Sequence, residues 1–110
     1  SYMNKFEAVL IFNPDLPTNT LKSELDNIKN KITSENGKVI NEEDWGLRDF
    51  SYTINKYNKG FYKYLQIEIS GSIIKNINKD LNQLENLLKF IFIKVDQHQE
   101  IPTKLNYEKK

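Results

Sequence analysis

Residues 5–12, KFEAVLIF, place Phe6, Ala8, Leu10 and Phe12 at every second position, the spacing of a strand with one face buried. The turn residues of NPDLP stop it. From Thr18 the period changes: Leu21, Leu25, Ile28 and Ile32 recur at steps of four, three and four, a single helical stripe. ENGK ends that helix, with Gly37 expected in the left-handed cap conformation. KVINEEDWGLRDFSYTI is a long extended segment, with a bulge or kink expected near Gly46. NKYNKG, 55–60, turns the chain, and FYKYLQIEI returns as a strand with Leu65, Ile67 and Ile69 alternating. Ser72 is the expected N-cap of a second helix, whose stripe is Ile74, Ile77, Leu81 and Leu84. LKFIFIKV, 88–95, reads as the last strand. From Gln97 the composition turns polar, contains Pro102 and lacks periodicity.

The order β-α-β-β-α-β predicts an α+β, ferredoxin-like fold: a four-stranded antiparallel sheet with both helices on one face and strands one and three central. Residues 3–96 form the expected domain and 97–110 a polar C-terminal tail. Met3 reads as the natural start. By alternation, Val9 and Ile11, Tyr62 and Tyr64, and Ile91 and Ile93 face away from the helices. If that side is bare, six such side chains with lysines around them make an apolar patch of the size that has a partner. A single tyrosine on a strand carries no such message, because tyrosine fits any half-buried pleat. The aliphatic neighbours give the pair its weight.

The hairpin carries a second signal. Arg48, the only arginine, and Lys56 flank a strand bearing Phe50 and Tyr52, with Lys59 and Lys63 at or beyond the turn. Arginine offers phosphate a planar fork, lysine a point charge, and aromatic rings a stacking platform for unpaired bases. Lysines on a hairpin edge also guard against strand-to-strand aggregation, so the pattern permits RNA contact without requiring it. Global charge adds no support: 16 basic residues face 15 acidic ones, for a net charge of +1. Any nucleic-acid contact must come from local clustering.

Enzymatic chemistry has little to stand on. Cysteine is absent, and His98, the one histidine, falls in the tail, where it reads as a solvated residue. Glu42 and Asp44 share a face without a histidine to complete a metal site, so no metal or cofactor is expected. The turn after the first strand holds Pro14 and Pro17, which donate no amide protons to an anion. No apolar run reaches membrane-spanning length and no secretory signal is evident, which predicts a cytoplasmic protein without a membrane or small-molecule partner.

KFEAVLIFNPDL at the start, GLRDFSYTINKYNKGFYKYLQIEI in the middle and LENLLKFIFIKV near the end resemble the bacterial small-subunit ribosomal protein six family. The most specific string is Gly-Leu-Arg, then Ser-Tyr-x-Ile-x-Lys, then Gly-Phe-Tyr. The resemblance spans about residues 3–96. It implies a non-enzymatic component of the small ribosomal subunit, binding the central domain of 16S rRNA together with small-subunit ribosomal protein eighteen. Carried over by position, the RNA-binding residues are Lys5, Arg48, Lys56 and Lys89, with Tyr52 as the stacking candidate from the hairpin. Tyr62, Tyr64, Val9, Ile11 and Ile91 are then the candidates for the protein partner. Where relatives carry further basic residues this chain has Asp49, Asn82, Leu84 and Leu88, which implies fewer phosphate contacts. The alternative from another class is a ferredoxin-like regulatory or metabolite-binding module that homodimerises through its open sheet.

Overall fold

Every period read from the sequence becomes an element in the computed structural model, which describes residues 3–98. The order is β1 (Met3–Phe12), α1 (Thr18–Ser34), β2 (Lys38–Ile54), β3 (Tyr57–Ser70), α2 (Gly71–Leu81) and β4 (Leu87–Val95). All three strand pairings are antiparallel and the sheet order is β2-β3-β1-β4. The expected ferredoxin-like architecture is therefore present, with β1 and β3 central. Apart from Gln97 and His98, the expected tail lies outside the described residues, as do Ser1 and Tyr2.

The main core joins the two helical stripes to one face of the sheet. Leu21, Leu25, Ile28 and Ile32 of α1, with Ile74, Ile77 and Leu81 of α2, pack on Phe6, Ala8, Leu10, Phe12, Leu65, Ile67 and Ile69. Each leucine, isoleucine or phenylalanine removed from water contributes about 1.5–3 kcal/mol, which is why the stripes dictate which helix face turns inward. Phe90 and Phe92 sit at the edge of this core, half-buried, their rings edge-on at 5.9 Å. On the outside, Lys29 of α1 donates to Glu42 Oε1 of β2 at 2.7 Å. That bond, against the opposing effect of burial, raises the pKa of the Lys29 amine.

The ends of elements differ from expectation in four places. Asn36, not Gly37, takes the left-handed conformation after α1 (φ 66°), and the Gly37 N–H closes the helix on the Ile32 carbonyl at 2.9 Å. Asparagine tolerates that region better than other side-chain-bearing residues. Helix α2 begins one residue after β3 ends, so Ser70 and not Ser72 is its N-cap, and the two hydroxyls lie 3.0 Å apart. The hairpin turn is only Asn55-Lys56, both with positive φ (50° and 75°), and β3 starts at Tyr57. Two consecutive left-handed residues match the right-handed twist of the flanking strands, as in a type I′ turn. Finally, His98 is not a solvated tail residue. Its Nε2 lies 3.2 Å from the Phe6 carbonyl oxygen and 3.1 Å from that of Ile67. Carbonyl oxygens only accept, so Nε2 carries a proton and donates to both.

Lys56 stands where a type I′ turn favours glycine, and a side chain in that region costs about 1–2 kcal/mol. Lys56→Gly is expected to raise folding stability by about 0.5–1 kcal/mol, after allowing for the freer unfolded chain. Urea denaturation checks it; an unchanged or lower midpoint contradicts the strain.

Candidate functional site

The face away from the helices is not bare, because β2 covers part of it. Its 17 residues pair with the 14 of β3 through three register shifts. At the second shift, between Asp44 and Gly46, Gly46 adopts φ 77° and swings Trp45 onto the sheet. The indole stacks on Tyr64 with ring centroids 5.1 Å apart and planes within 10°. Its Nε1–H donates to Glu43 Oε1 at 3.0 Å. Asp44 Oδ1 accepts from the Gly46 N–H at 2.9 Å, and Asp44 Oδ2 meets Lys63 at 3.0 Å, fastening the bulge.

A second, small core results: Val9, Ile11, Trp45 and Tyr64 are buried, with Phe50 and Tyr62 packed against them. The expectation that Val9, Ile11 and Tyr64 are offered to solvent is therefore corrected; Tyr64 is fully buried. The alternation was read correctly, but Trp45 and the overhanging strand occupy the space. Trp45 is the functional-site residue that the sequence reading missed. Its signal was present, as the only tryptophan, one position before the glycine already expected to kink the strand. Tyr62 stays half-exposed, and Ile91 (42% exposed) and Ile93 remain open. Farther along this face a polar ladder follows. Asn41 Nδ2 donates to Gln66 Oε1 at 3.3 Å and Gln66 Nε2 to the Tyr64 hydroxyl at 3.1 Å, beside buried Glu7.

What remains open is a groove. Between Asp49 and Ile54 the pairing of β2 lapses, so Phe50–Thr53 arch above the sheet. The arch forms one wall with Phe50, Tyr52 and Ile54; β4 forms the other with Lys89, Ile91 and Ile93; Val9, Ile11 and Tyr62 are the floor. The groove holds about 330 Å³. Gly60 allows the arch to descend: a Cβ there would stand 2.8 Å from Ile11 Cγ2 and 3.0 Å from Phe50 Cζ. A second, more polar cleft of about 460 Å³ lies between the hairpin tip and the α2–β4 connection, lined by Asn55, Asn82, Gln83, Glu85 and Lys89 together with four leucines and Phe90. Lys89 borders both, so it stands on the ridge between an apolar groove and an amide-lined cleft.

The remaining candidates are distributed unevenly. Arg48 is half-buried beside the groove and its Nε donates to the Trp45 carbonyl at 3.2 Å. Burial raises the Tyr62 phenol pKa; the Arg48 charge works against this and Tyr52 works with it. Tyr52 is 68% exposed on the arch, and Lys56 is exposed at the hairpin tip. Lys5 stands apart. It pairs with Glu68 and Val95, whereas Lys89 pairs with Ile11, six residues along β1. At about 3.4 Å per residue the separation is roughly 20 Å. Among the described residues no group of three or more His, Cys, Asp or Glu side chains could hold a metal, and no helix is long and apolar enough to cross a membrane.

With this geometry in place, comparison with known proteins is informative. The family described as Ribosomal protein S6 matches residues 5–94. The chain is 36% identical over 92 residues to small ribosomal subunit protein bS6 of Acholeplasma laidlawii, covering 84% of this chain and 97% of that one. It is 30% identical over 96 residues to the bS6 protein of Phocaeicola vulgatus, covering 87% and 84%. The crystal structure of 30S ribosomal protein S6 from Thermotoga maritima superposes with a TM-score of 0.81 over 98% of this chain and 95% of that one, at 18% identity. That superposition supports the fold.

Two outcomes test the geometry of the arch. Gly60→Ala should cost about 1–3 kcal/mol, because the added methyl overpacks the floor, and should alter the emission of Trp45; a neutral result by urea titration contradicts the close approach. For Asp44, burial acts to raise the carboxyl pKa. The Lys63 hydrogen bond, the Gly46 N–H and the Lys63 charge outweigh it, and hold the pKa below the ordinary 3.8. A depressed folded-state pKa contributes stability above the unfolded value and loses it as pH falls through the folded one. Asp44→Asn should therefore cost less than about 1 kcal/mol at neutral pH, the pair being largely solvated, and progressively less as pH falls below the ordinary carboxylate range. Equal losses at neutral and low pH in chemical denaturation contradict the ion pair.

Proposed function

The chain belongs to the ribosomal protein S6 family, and on that premise we propose that its hairpin end holds rRNA and a protein partner side by side. It is a structural, non-enzymatic component of the small ribosomal subunit and resides in the cytoplasmic ribosome. The finer reading is that it binds the central domain of 16S rRNA together with small-subunit ribosomal protein eighteen. The observation that carries it is the ridge at Lys89, where a largely apolar groove and a more polar cleft meet. The apolar groove suits side chains of a protein, whose burial contributes about 25 cal/mol per Å². The amide-bearing cleft, lined by Lys89 and by Asn55, the neighbour of Lys56 in the turn, suits the sugar-phosphate backbone and unpaired bases of RNA. Family membership favours this reading over a homodimerising metabolite module.

Several candidates acquire distinct roles under this proposal. Lys56 and Lys89 meet phosphates, while Tyr52 offers an exposed ring for stacking. Tyr62, Ile91 and the rims of Val9 and Ile11 line the protein side. Tyr64 acts from beneath, as the support of Trp45. Lys5, on the far end of the sheet, makes a separate contact. Arg48 has two duties, a charge toward RNA and a backbone bond that holds the bulge.

The double duty of Arg48 sets the test. Arg48→Ala should reduce the slope of log affinity against log salt by about 1, the loss of one phosphate contact, and cost about 1 kcal/mol of folding stability through the Trp45 bond. Arg48→Lys should retain the slope while losing that stability. RNA affinity of the isolated protein should also be weaker than that of the mixture with the partner. An unchanged slope in Arg48→Ala, or equally tight binding without the partner, overturns the respective part.

A further inference from the structure

The sheet ends in β2 on one side and β4 on the other, and the two edges are built differently. β2 leaves regular pairing at three register shifts and carries Glu42, Glu43 and Asp44 in succession. Bulges and charges of that kind keep a foreign strand from pairing. β4 contains neither proline nor an acidic residue, and Lys89–Val95 pair with Ile11–Lys5 of β1 without a shift. Among the described residues no strand lies on its other side. In an antiparallel ladder alternate residues of β4 turn their N–H and C=O toward β1, and the intervening ones turn theirs outward.

The side chains of β4 match a strand with neighbours on both sides. FIFI, 90–93, is a continuous apolar run, the pattern of a strand covered on both faces. The comparable run in β1, Ala8–Phe12, is buried throughout. At the edge the run stays open. Phe90 and Phe92 are half-buried against the helix-side core, and Ile91 and Ile93 on the groove side are 42% and 36% exposed. A fifth strand would set cross-strand neighbours beside both pairs at once.

Charge decides what kind of strand that is. Lys89 shares the groove face with Ile91 and Ile93, while Lys94, by alternation, shares the other with Phe90 and Phe92. Both lysines are exposed, and the strand carries no anion to offset them. Pairing β4 with a second copy of itself would gather four lysines along one ladder without a carboxylate, so the lysines oppose self-association. A strand of another protein that brings carboxylates meets no such penalty.

We propose that β4 is a docking edge that takes an extended segment of a protein partner as a fifth strand, apolar at its centre and with a carboxylate opposite each lysine. The inference goes beyond side-chain packing in the groove, of which Ile91 and Ile93 form one wall, and rests on the proposed protein contact only for the identity of the partner.

The probe is the blocked peptide Ac-SEVTVIES-NH2, whose glutamates have the spacing of Lys89 and Lys94, added to the 15N-labelled full chain. Amide hydrogen exchange by NMR is the readout. At about 1 mM peptide, one alternate set of β4 amides should slow at least about fivefold while the intervening set and β2 do not change. N-methylation of every second peptide residue should abolish the slowing in one phase and spare it in the other, which side-chain packing alone would not produce. Lys94→Glu should reduce the slowing at least about twofold. No slowing, or slowing indifferent to the methylation phase, overturns the proposal. Slow exchange of both alternate sets before peptide is added shows the edge to be occupied by the chain itself or by a second copy, and overturns it too. Failure here leaves the Arg48 salt slopes and the RNA affinities standing, and failure of those leaves the edge pairing standing.

Discussion

The stack of Trp45 on Tyr64 is the constraint on which the rest of the functional face depends. A four-stranded sheet with both helices on one side exposes its central strands on the other, and those strands here carry Val9, Ile11 and Tyr64. One indole, placed by the left-handed backbone of Gly46, converts that exposed surface into a second core. It requires β2 to be longer than its partner and to leave the sheet plane. The excess length becomes the arch of Phe50–Thr53, and the arch makes a groove out of what would be a flat face. Removing the stack would uncover Val9 and Ile11, the part of the floor that packs with it.

The fold was legible because its signals are local and independent. Two helical stripes and the strand segments each have their own period, and no long-range guess is needed to order them. The second core was not legible from the alternation rule, which says which way a side chain points and not what lies above it. A different feature of the first strand did carry the information. AVLIF, 8–12, is a continuous apolar run, the mark of a strand buried on both faces. Reading only its alternate positions as core discarded that mark. His98 was harder: one residue in a polar segment has no period, and its contacts depend on a chain reversal that no local pattern announces. The placement of Lys5 away from Arg48 likewise follows from strand pairing, not from spacing along the chain.

Charge economy explains why geometry must do so much. With a net charge of +1 the protein has little long-range attraction for a polyanion, and contacts are limited to where cations are concentrated. Lys63, a cation of the hairpin, is spent on Asp44, and Lys29 on Glu42. Lys56 stands exposed at the hairpin tip, and Lys89, also exposed, lines the amide-bearing cleft. Under the proposed role, a surface so sparing in charge would discriminate by shape and by the amides of Asn55, Asn82 and Gln83 more than by electrostatics, and would profit from a second macromolecule that shares the work of binding.

The backbone at the hairpin tip points the same way. Folding alone favours glycine at the second position of a two-residue turn, and the chain keeps lysine there at φ 75°. Strain of about 1–2 kcal/mol is a substantial fraction of the 5–15 kcal/mol by which a domain is stable. Such a residue is retained when its side chain does something the fold does not need. Lys56 stands exposed at the tip of the hairpin, beyond the last pair of β2 and β3. Under the proposed role that something is a contact with RNA, made next to the polar cleft that the neighbouring Asn55 lines.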